Sequence, residues 1–187
     1  MIDIIKQKID AIEKDGVILV AIDGPCASGK TTLGKRLASE LSAMLIHADD
    51  FFLPKEKRTA ERKAEVGGNI DYERLYDEVI APLKRGGAFS YRKYDCHSGT
   101  FERESVTPKK VCIIEGSYST HPYFNKPYDL TIFLEIDEIE QARRITEREQ
   151  DNAINFFSLW IPKENAYFEK FCVKENCDLT LKQGELK

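Results

Sequence analysis

The chain has 187 residues, 42% hydrophobic and 32% charged, enough for one compact domain with a sizeable core and too apolar for a disordered chain. Its formal net charge of -4 excludes the basic surplus of a duplex nucleic-acid binder, while leaving room for a small anionic ligand in a local basic pocket. No apolar stretch approaches the ~20 residues of a membrane span, and "MIDIIKQKIDAIEK" at the N-terminus is charged throughout, with no signal-peptide core. The five scattered cysteines (Cys26, Cys96, Cys112, Cys172, Cys177) read as reduced thiols of a cytoplasmic protein.

Ile2, Ile5, Ile9 and Ile12 recur at helical spacing, which predicts an opening amphipathic helix. "VILVAI" (17–22) is apolar on both faces, as in a buried parallel strand. "GPCASGK" follows, then a helix whose face carries Leu33, Leu37 and Leu41, then a short strand "MLIHA" (44–48). Residues 54–68 are polar, end in Gly67-Gly68 and read as a mobile surface segment. "DYERLYDEVIAPL" (71–83) predicts a helix with Tyr72, Leu75, Tyr76, Val79 and Leu83 on one side, ended by Gly86-Gly87. "AFSYRKYD" and "TFERESVTP" flank a turn and predict a hairpin over about 88–107. "VCIIEG" (111–116) and "LTIFLEID" (130–137) are further buried strands, separated from a last strand, "CDLTL", by a charged helix and an aromatic-rich one over 153–172. Tyr72, Tyr76, Phe156, Phe157, Trp160 and Phe168 read as core. Alternating strands and helices predict a single α/β domain over 1–187, three-layered around a mostly parallel five-stranded sheet, with a small lid over about 138–152.

The segment Gly24-Pro25-Cys26-Ala27-Ser28-Gly29-Lys30-Thr31-Thr32 contains G-x-x-x-x-G-K-[S/T] between a buried strand and a helix. Glycines at both ends let successive N–H groups turn inward onto phosphate oxygens, and the helix N-terminus adds its positive dipole end. Lys30 is placed for the β/γ-phosphates and the Thr31 hydroxyl for Mg²⁺, so a nucleoside triphosphate with Mg²⁺ is expected. "NKPYD" (125–129) does not fit a guanine reader and lies before its strand, and the chain is short for an ATPase motor.

A small-molecule kinase needs a further acid near Mg²⁺, a base for the attacking hydroxyl and cations for the migrating phosphoryl group. Glu115 ends a buried strand and is the expected acid at the metal. In "HADDFF", Asp49 ends a strand at the carboxyl edge where ligands bind in open α/β sheets, so it is the expected base, a role worth about 10²–10⁴ in rate. Asp50 either supports it or caps the next turn. Arg143, Arg144 and Arg148 lie on one predicted helix, with Arg144 and Arg148 sharing a face. The competing reading of "RRITERE" is a solvated helix of Glu–Arg pairs.

These stretches, in this order, resemble the uridine kinase family, within the wider group that includes phosphoribulokinase, pantothenate kinase and nicotinamide riboside kinase. "GPCASGKTT" is similar to its phosphate loop, "DDFF" to its Asp-x-Phe-Tyr stretch, "NIDYERLYD" to its Asn-Phe-Asp helix start, "KYDCHS" to its Tyr-Asp…His-Ser stretch, "IIEGSY" to its Glu-Gly segment and "ARRITER" to its lid-side arginines. The resemblance implies an ATP- and Mg²⁺-dependent kinase acting on a hydroxyl, foremost the 5′-hydroxyl of uridine or cytidine. It also implies a ribose contact for Asp71, substrate contacts for Tyr94, His97 and Arg143, and phosphate contacts for Arg144 and Arg148. Asp71 is also placed as a helix N-cap. The chain departs from the family where Tyr94-Asp95 and His97 lie closer together, and where "EREQDN" replaces an Arg- and Gly-rich lid. Both departures fall on acceptor recognition, which keeps a different acceptor open: nicotinamide riboside, pantothenate, a sugar or a sugar phosphate. A nucleotide-binding regulatory protein is the remaining alternative.

Overall fold

A computed structural model describes residues 2–182. In chain order the elements are α1 (Ile2–Asp10), β1 (Ile18–Asp23), α2 (Lys30–Glu40), β2 (Met44–His47), α3 (Ala60–Ala64), α4 (Tyr72–Leu75), α5 (Ala81–Arg85), β3 (Phe89–Asp95), β4 (Thr100–Val106), β5 (Val111–Glu115), β6 (Leu130–Glu135), α6 (Glu138–Glu149), α7 (Ala153–Asn155), α8 (Ile161–Lys170), α9 (Val173–Asn176) and β7 (Leu179–Lys182). Five strands form one sheet in the order β2-β5-β1-β6-β7, and every pairing in it is parallel. β3 and β4 pair separately as an antiparallel hairpin.

The two apolar faces of these strands explain the layering. Ile18, Val20 and Ile22, with Ile113, Ile132 and Leu134, pack against Ile5 and Ile9 of α1 and Leu33 and Leu37 of α2. Leu19, Cys112, Ile114 and Phe133 point the other way, into a core with Phe51, Leu75, Val79, Ile80 and Tyr167. Side chains alternate across a strand, so continuous apolar runs require cover on both faces, and helices supply it. The result is an α/β/α sandwich.

Two helices deviate from regular α geometry for one shared reason. Tyr76–Ile80 and Phe156–Trp160 each form a π-helical turn, and each leads into a segment with proline at its second position, Pro82 and Pro162. A proline has no N–H for the i→i−4 ladder, and a wider turn just before it lets the hydrogen bonding skip the missing donor. The segment 54–68, expected at the surface, is mostly exposed and carries regular structure. α3 lies within it, and Arg62 fastens it to Glu73 (2.8 and 2.7 Å), the Gly68 carbonyl (3.1 Å) and the Ile70 carbonyl (3.0 Å). Lys57 adds a second tie, to Asp71; the polar pattern concealed this, because charged side chains do the fastening.

Register sets the functional edge. Ile22 and His47 both lie opposite Glu115, so the loop after β1, the end of β5 and the turn after β2 meet at the carboxyl ends of three adjacent strands, β2-β5-β1. Gly116 makes this possible: at φ 140°, its absent Cβ would lie 2.8 Å from the Cβ of Ala48. Gly24 is tighter still. At φ 141° an added Cβ would fall 2.4 Å from the Leu134 carbonyl oxygen. Gly24→Ala is expected to cost about 2–3 kcal/mol through overpacking and backbone strain, lowering the thermal midpoint by ~5–10 °C for a chain of this size. An unchanged melting curve would contradict that geometry.

Candidate active site

Between β1 and α2 the backbone takes left-handed conformations at Ala27 (φ 61°) and Gly29 (φ 97°). Such turns aim successive N–H groups into one concavity. Lys30 opens α2 almost fully buried, and its Nζ donates to the carbonyls of Gly24 (2.7 Å) and Pro25 (2.8 Å). The ammonium is thus held over the loop it closes.

The loop is braced from behind by two acids that the motif does not announce. Asp23, fully buried at the end of β1, accepts from the backbone of Gly24 (2.7 Å), Tyr118 (3.1 Å) and Thr120 (3.0 Å), and from the hydroxyls of Thr120 (2.7 Å) and Tyr167 (3.0 Å). Burial raises its pKa, and those donors work against the rise. Glu164 of α8 accepts from the Cys26 amide (2.8 Å) and the Ser117 hydroxyl (2.6 Å). Burial and the Glu164 carboxylate push the Cys26 thiol up to about 12, so it stays protonated.

The Thr31 hydroxyl lies 3.0 and 3.1 Å from the two carboxylate oxygens of Glu115, which is 3% exposed. His47 Nδ1 bonds the same carboxylate from the edge strand. That bond, ahead of the opposing effect of burial, raises the His47 pKa. The Thr31–Glu115 pair offers hard oxygen donors at close range, which suits Mg²⁺. Among the described residues no group of three or more His, Cys, Asp or Glu side chains could hold a metal ion.

Asp49 and Asp50 part company within one short helical turn, Ala48–Phe51. Asp49 is open to the cleft but closely walled by protein on its other sides. The resulting desolvation raises its pKa; Lys30 is the largest opposing influence, and Glu115 and Glu164 add to the rise. Asp50 turns towards the hairpin, where Lys93 and Glu104 sense it, and its backbone carbonyl accepts from Arg74 (2.9 Å).

Beside these groups opens a cleft of about 770 Å³, within the range of small-ligand sites. Cys26, Ala27, Gly29, Lys30, Thr31 and Thr32 form one end of it, with Asp49 and Glu115 beside them. Gly24, Pro25 and Ser28 shape the loop from outside that lining. Arg144 and Arg148 enter from α6, whose i,i+4 spacing puts both on the cleft side. Arg144 pairs with Glu140 (2.6 Å) and reaches the Ala27 carbonyl (3.3 Å); Arg148 pairs with Glu149 (2.6 Å). His97 lines the cleft from the hairpin tip, next to Cys96.

Three expected site residues lie elsewhere. Arg143 points outward and is held by Glu140 and Glu147 at 2.8 and 2.6 Å, which is the solvated Glu–Arg pattern. Tyr94 is buried against its cross-strand partner Phe101, ring centroids 5.0 Å apart, on the face of the hairpin opposite the core residue Tyr91. Asp71 caps α4 through the Arg74 amide (3.3 Å) and is fully buried, with Lys57 at 3.0 Å and Arg74 Nε at 3.4 Å. None of the three lines the cleft.

Other residues do: Phe52 and Asn69, which fall in quoted stretches without an assigned role, and Arg58, Phe156 and Trp160, which no motif announced. Phe52 and Trp160 stand 5.9 Å apart. This corrects the reading of Phe156 and Trp160 as core, and Phe157 is exposed as well; Phe168 does pack inside, against Phe133. The π-helical turn that carries Phe156 and Trp160 shifts the helix phase, so simple helical periodicity misplaces them.

A family model, "Phosphoribulokinase / Uridine kinase family", matches residues 19–152. A uridine kinase from Aliivibrio salmonicida is 27% identical over 89% of this chain and 86% of its own length. Uridine-cytidine kinase C from Dictyostelium discoideum is 28% identical over 67% of this chain and 28% of its own. Among solved structures, a possible uridine kinase from Bacillus stearothermophilus superposes with a TM-score of 0.74 at 22% identity, covering 96% of each chain. D-glycerate 3-kinase from Cryptococcus neoformans has a TM-score of 0.60 at 16% identity, covering 95% of this chain and 89% of its own. At those identities the likeness of the solved structures is one of fold.

Proposed function

Because the chain belongs to the phosphoribulokinase/uridine kinase family of small-molecule kinases, we propose that it transfers the γ-phosphoryl group of ATP, with Mg²⁺, to a hydroxyl of a small molecule. The observation that carries this reading is the gathering of Lys30, Thr31, Glu115 and Asp49 on one cleft at the carboxyl edge of the sheet. A protein that only bound nucleotide would have no use for a desolvated carboxylate facing the loop.

The loop amides and Lys30 hold the triphosphate, and burial keeps Lys30 from wandering. Thr31 and Glu115 would hold Mg²⁺, which would neutralise phosphate charge. Asp49 accepts the proton of the incoming hydroxyl, and its raised pKa strengthens it as a base. Arg144 and Arg148 leave their surface carboxylates for the phosphates, since exposed pairs of this kind contribute at most about 1 kcal/mol.

The relatives named as uridine kinases make a pyrimidine nucleoside the first acceptor to test, and Phe52, Phe156 and Trp160 offer rings for a base to stack on. A different acceptor is favoured by one observation, the burial of Asp71 away from the cleft. The experiment is ADP release from Mg·ATP with uridine, cytidine, nicotinamide riboside, pantothenate, sugars and sugar phosphates. Acceptor-dependent ADP release is expected; tight ATP binding without it would favour a regulatory role. Glu115→Gln should raise the Mg²⁺ concentration for half-maximal rate about 10-fold or more, read by Mg²⁺ titration of the same assay. An unaltered titration would take Glu115 out of the metal site.

A further inference from the structure

The acceptor end of the cleft is marked by Arg58, the one cleft arginine whose charge the described residues do not meet with an ion pair. Arg144 and Arg148 each have a glutamate, and Lys57, the neighbour of Arg58, is engaged with Asp71. Arg58 instead bonds only the Leu53 carbonyl, through Nε at 2.8 Å. That bond fixes the root of the guanidinium and leaves its two terminal nitrogens, a planar fork, to the cleft.

Arg58 is itself exposed, but the segment that carries it is anchored. The strand-like stretch before it is tied to the Asn69 region by Leu53 N to Asn69 O at 3.0 Å and by the Phe52–Ile70 bridge. Arg58 and Asp49 both act electrostatically on Cys96 at the hairpin tip, with opposite sign. The fork and the base therefore flank one corner of the cleft, with His97 beside them. Meanwhile Asp71 is fully buried and already engaged: Lys57 lies 3.2 and 3.0 Å from its oxygens, and the Arg74 amide and guanidinium lie on the other side. A ribose diol would have to compete with both cations for that carboxylate.

We propose that the acceptor is a small hydroxyl compound bearing an anionic group, phosphate or carboxylate, which Arg58 grips while the hydroxyl faces Asp49. The proposal rests on the kinase reading and narrows it to an acceptor class. An Arg fork pairs bidentately with either anion, and a neutral nucleoside leaves that fork without a partner.

The test uses matched pairs: glycerate against glycerol, a pentose 5-phosphate against the free pentose, pantothenate against its alcohol, with uridine and cytidine alongside. Each is measured for binding by calorimetry with Mg²⁺ and a non-hydrolysable ATP analogue, and for ADP release with ATP. The charged member of at least one pair should bind and turn over about 10–100-fold better than its neutral twin. The phosphate and carboxylate pairs say which anion is meant. Arg58→Ala should raise the KM for that acceptor by a similar factor with kcat nearly retained, and Arg58→Lys should restore part of it. Anion binding without ADP release would sustain the anion site at Arg58 and sink the kinase reading, and with it the acceptor role. Turnover of uridine or cytidine alone, indifferent to Arg58, would overturn the acceptor class and keep the kinase. Failure of every charged member to bind would also overturn it.

Discussion

Replacing Asp49 with Asn is expected to lower turnover by about 10²–10⁴ while leaving ATP affinity within a few-fold of the wild type. Asn is isosteric, so the Ala48–Phe51 turn and the Phe51 packing beneath it survive; only the proton acceptor goes. The pH dependence adds a second signature. Asp49 acts as a base only when ionised, and its pKa is raised, by desolvation above all. The rate should therefore rise with pH through a limb lying above the ordinary aspartate range. A bound triphosphate adds negative charge nearby and pushes the limb in the same direction. In Asp49→Asn that limb should disappear. A variant that keeps the wild-type rate, or keeps the acidic limb, would remove Asp49 from the reaction.

The difference between Asp49 and Asp50 shows what the sequence could say. Position at the end of a strand on the carboxyl edge placed the pair near the ligand, because strand direction and sheet edge follow from the hydrophobic pattern. Which of the two faces the cleft depends on the helical turn they occupy, and two adjacent acids look alike in one dimension. The phosphate loop was legible for a stronger reason: it needs particular residue types at fixed spacing, and the strand and helix around it confirm the context. The strand boundaries were likewise readable, since parallel strands buried on both faces leave unbroken apolar runs.

Asp71 and Arg143 illustrate the other side. A helix-capping acid and a ribose-binding acid have the same residue type in the same place, and the distinction rests on whether Lys57 and Arg74 claim the carboxylate. Those partners lie on α4 and on the polar segment before α3, and nothing in the linear pattern couples them. Arg143 differs from Arg144 by one residue, hence by about 100° around the helix, which is enough to send one to solvent and the other to the cleft. Phe156 and Trp160 were missed because a π-helical turn breaks the period on which core assignment depends. Arg58 carried no signal at all; a cation in a polar loop acquires meaning only once the cleft is built around it.

Removing both lid arginines, Arg144→Ala with Arg148→Ala, should lower kcat by about 10³-fold or more, with a smaller loss in ATP affinity. Charge moves as the γ-phosphoryl group leaves ATP, so cations that follow it act more on the transition state than on the bound nucleotide. The geometry suits that use. Arg144 already touches the loop at the Ala27 carbonyl, and Arg148 follows one turn later beside the Phe156 ring at 5.7 Å, so a modest inward shift of α6 would bring both to the phosphates. Arg143→Ala on the outward face of the same helix supplies the comparison. It breaks the exposed pairs with Glu140 and Glu147 and should change kcat less than about threefold, since such pairs contribute little to stability. If the double variant stayed within an order of magnitude of wild type, the arginines would be surface partners of Glu140 and Glu149, and charge neutralisation would fall to Lys30 and Mg²⁺ alone. If Arg143→Ala matched the double variant, the helix would have to rotate on closure, and the outward face described above would be the open state of a turning lid.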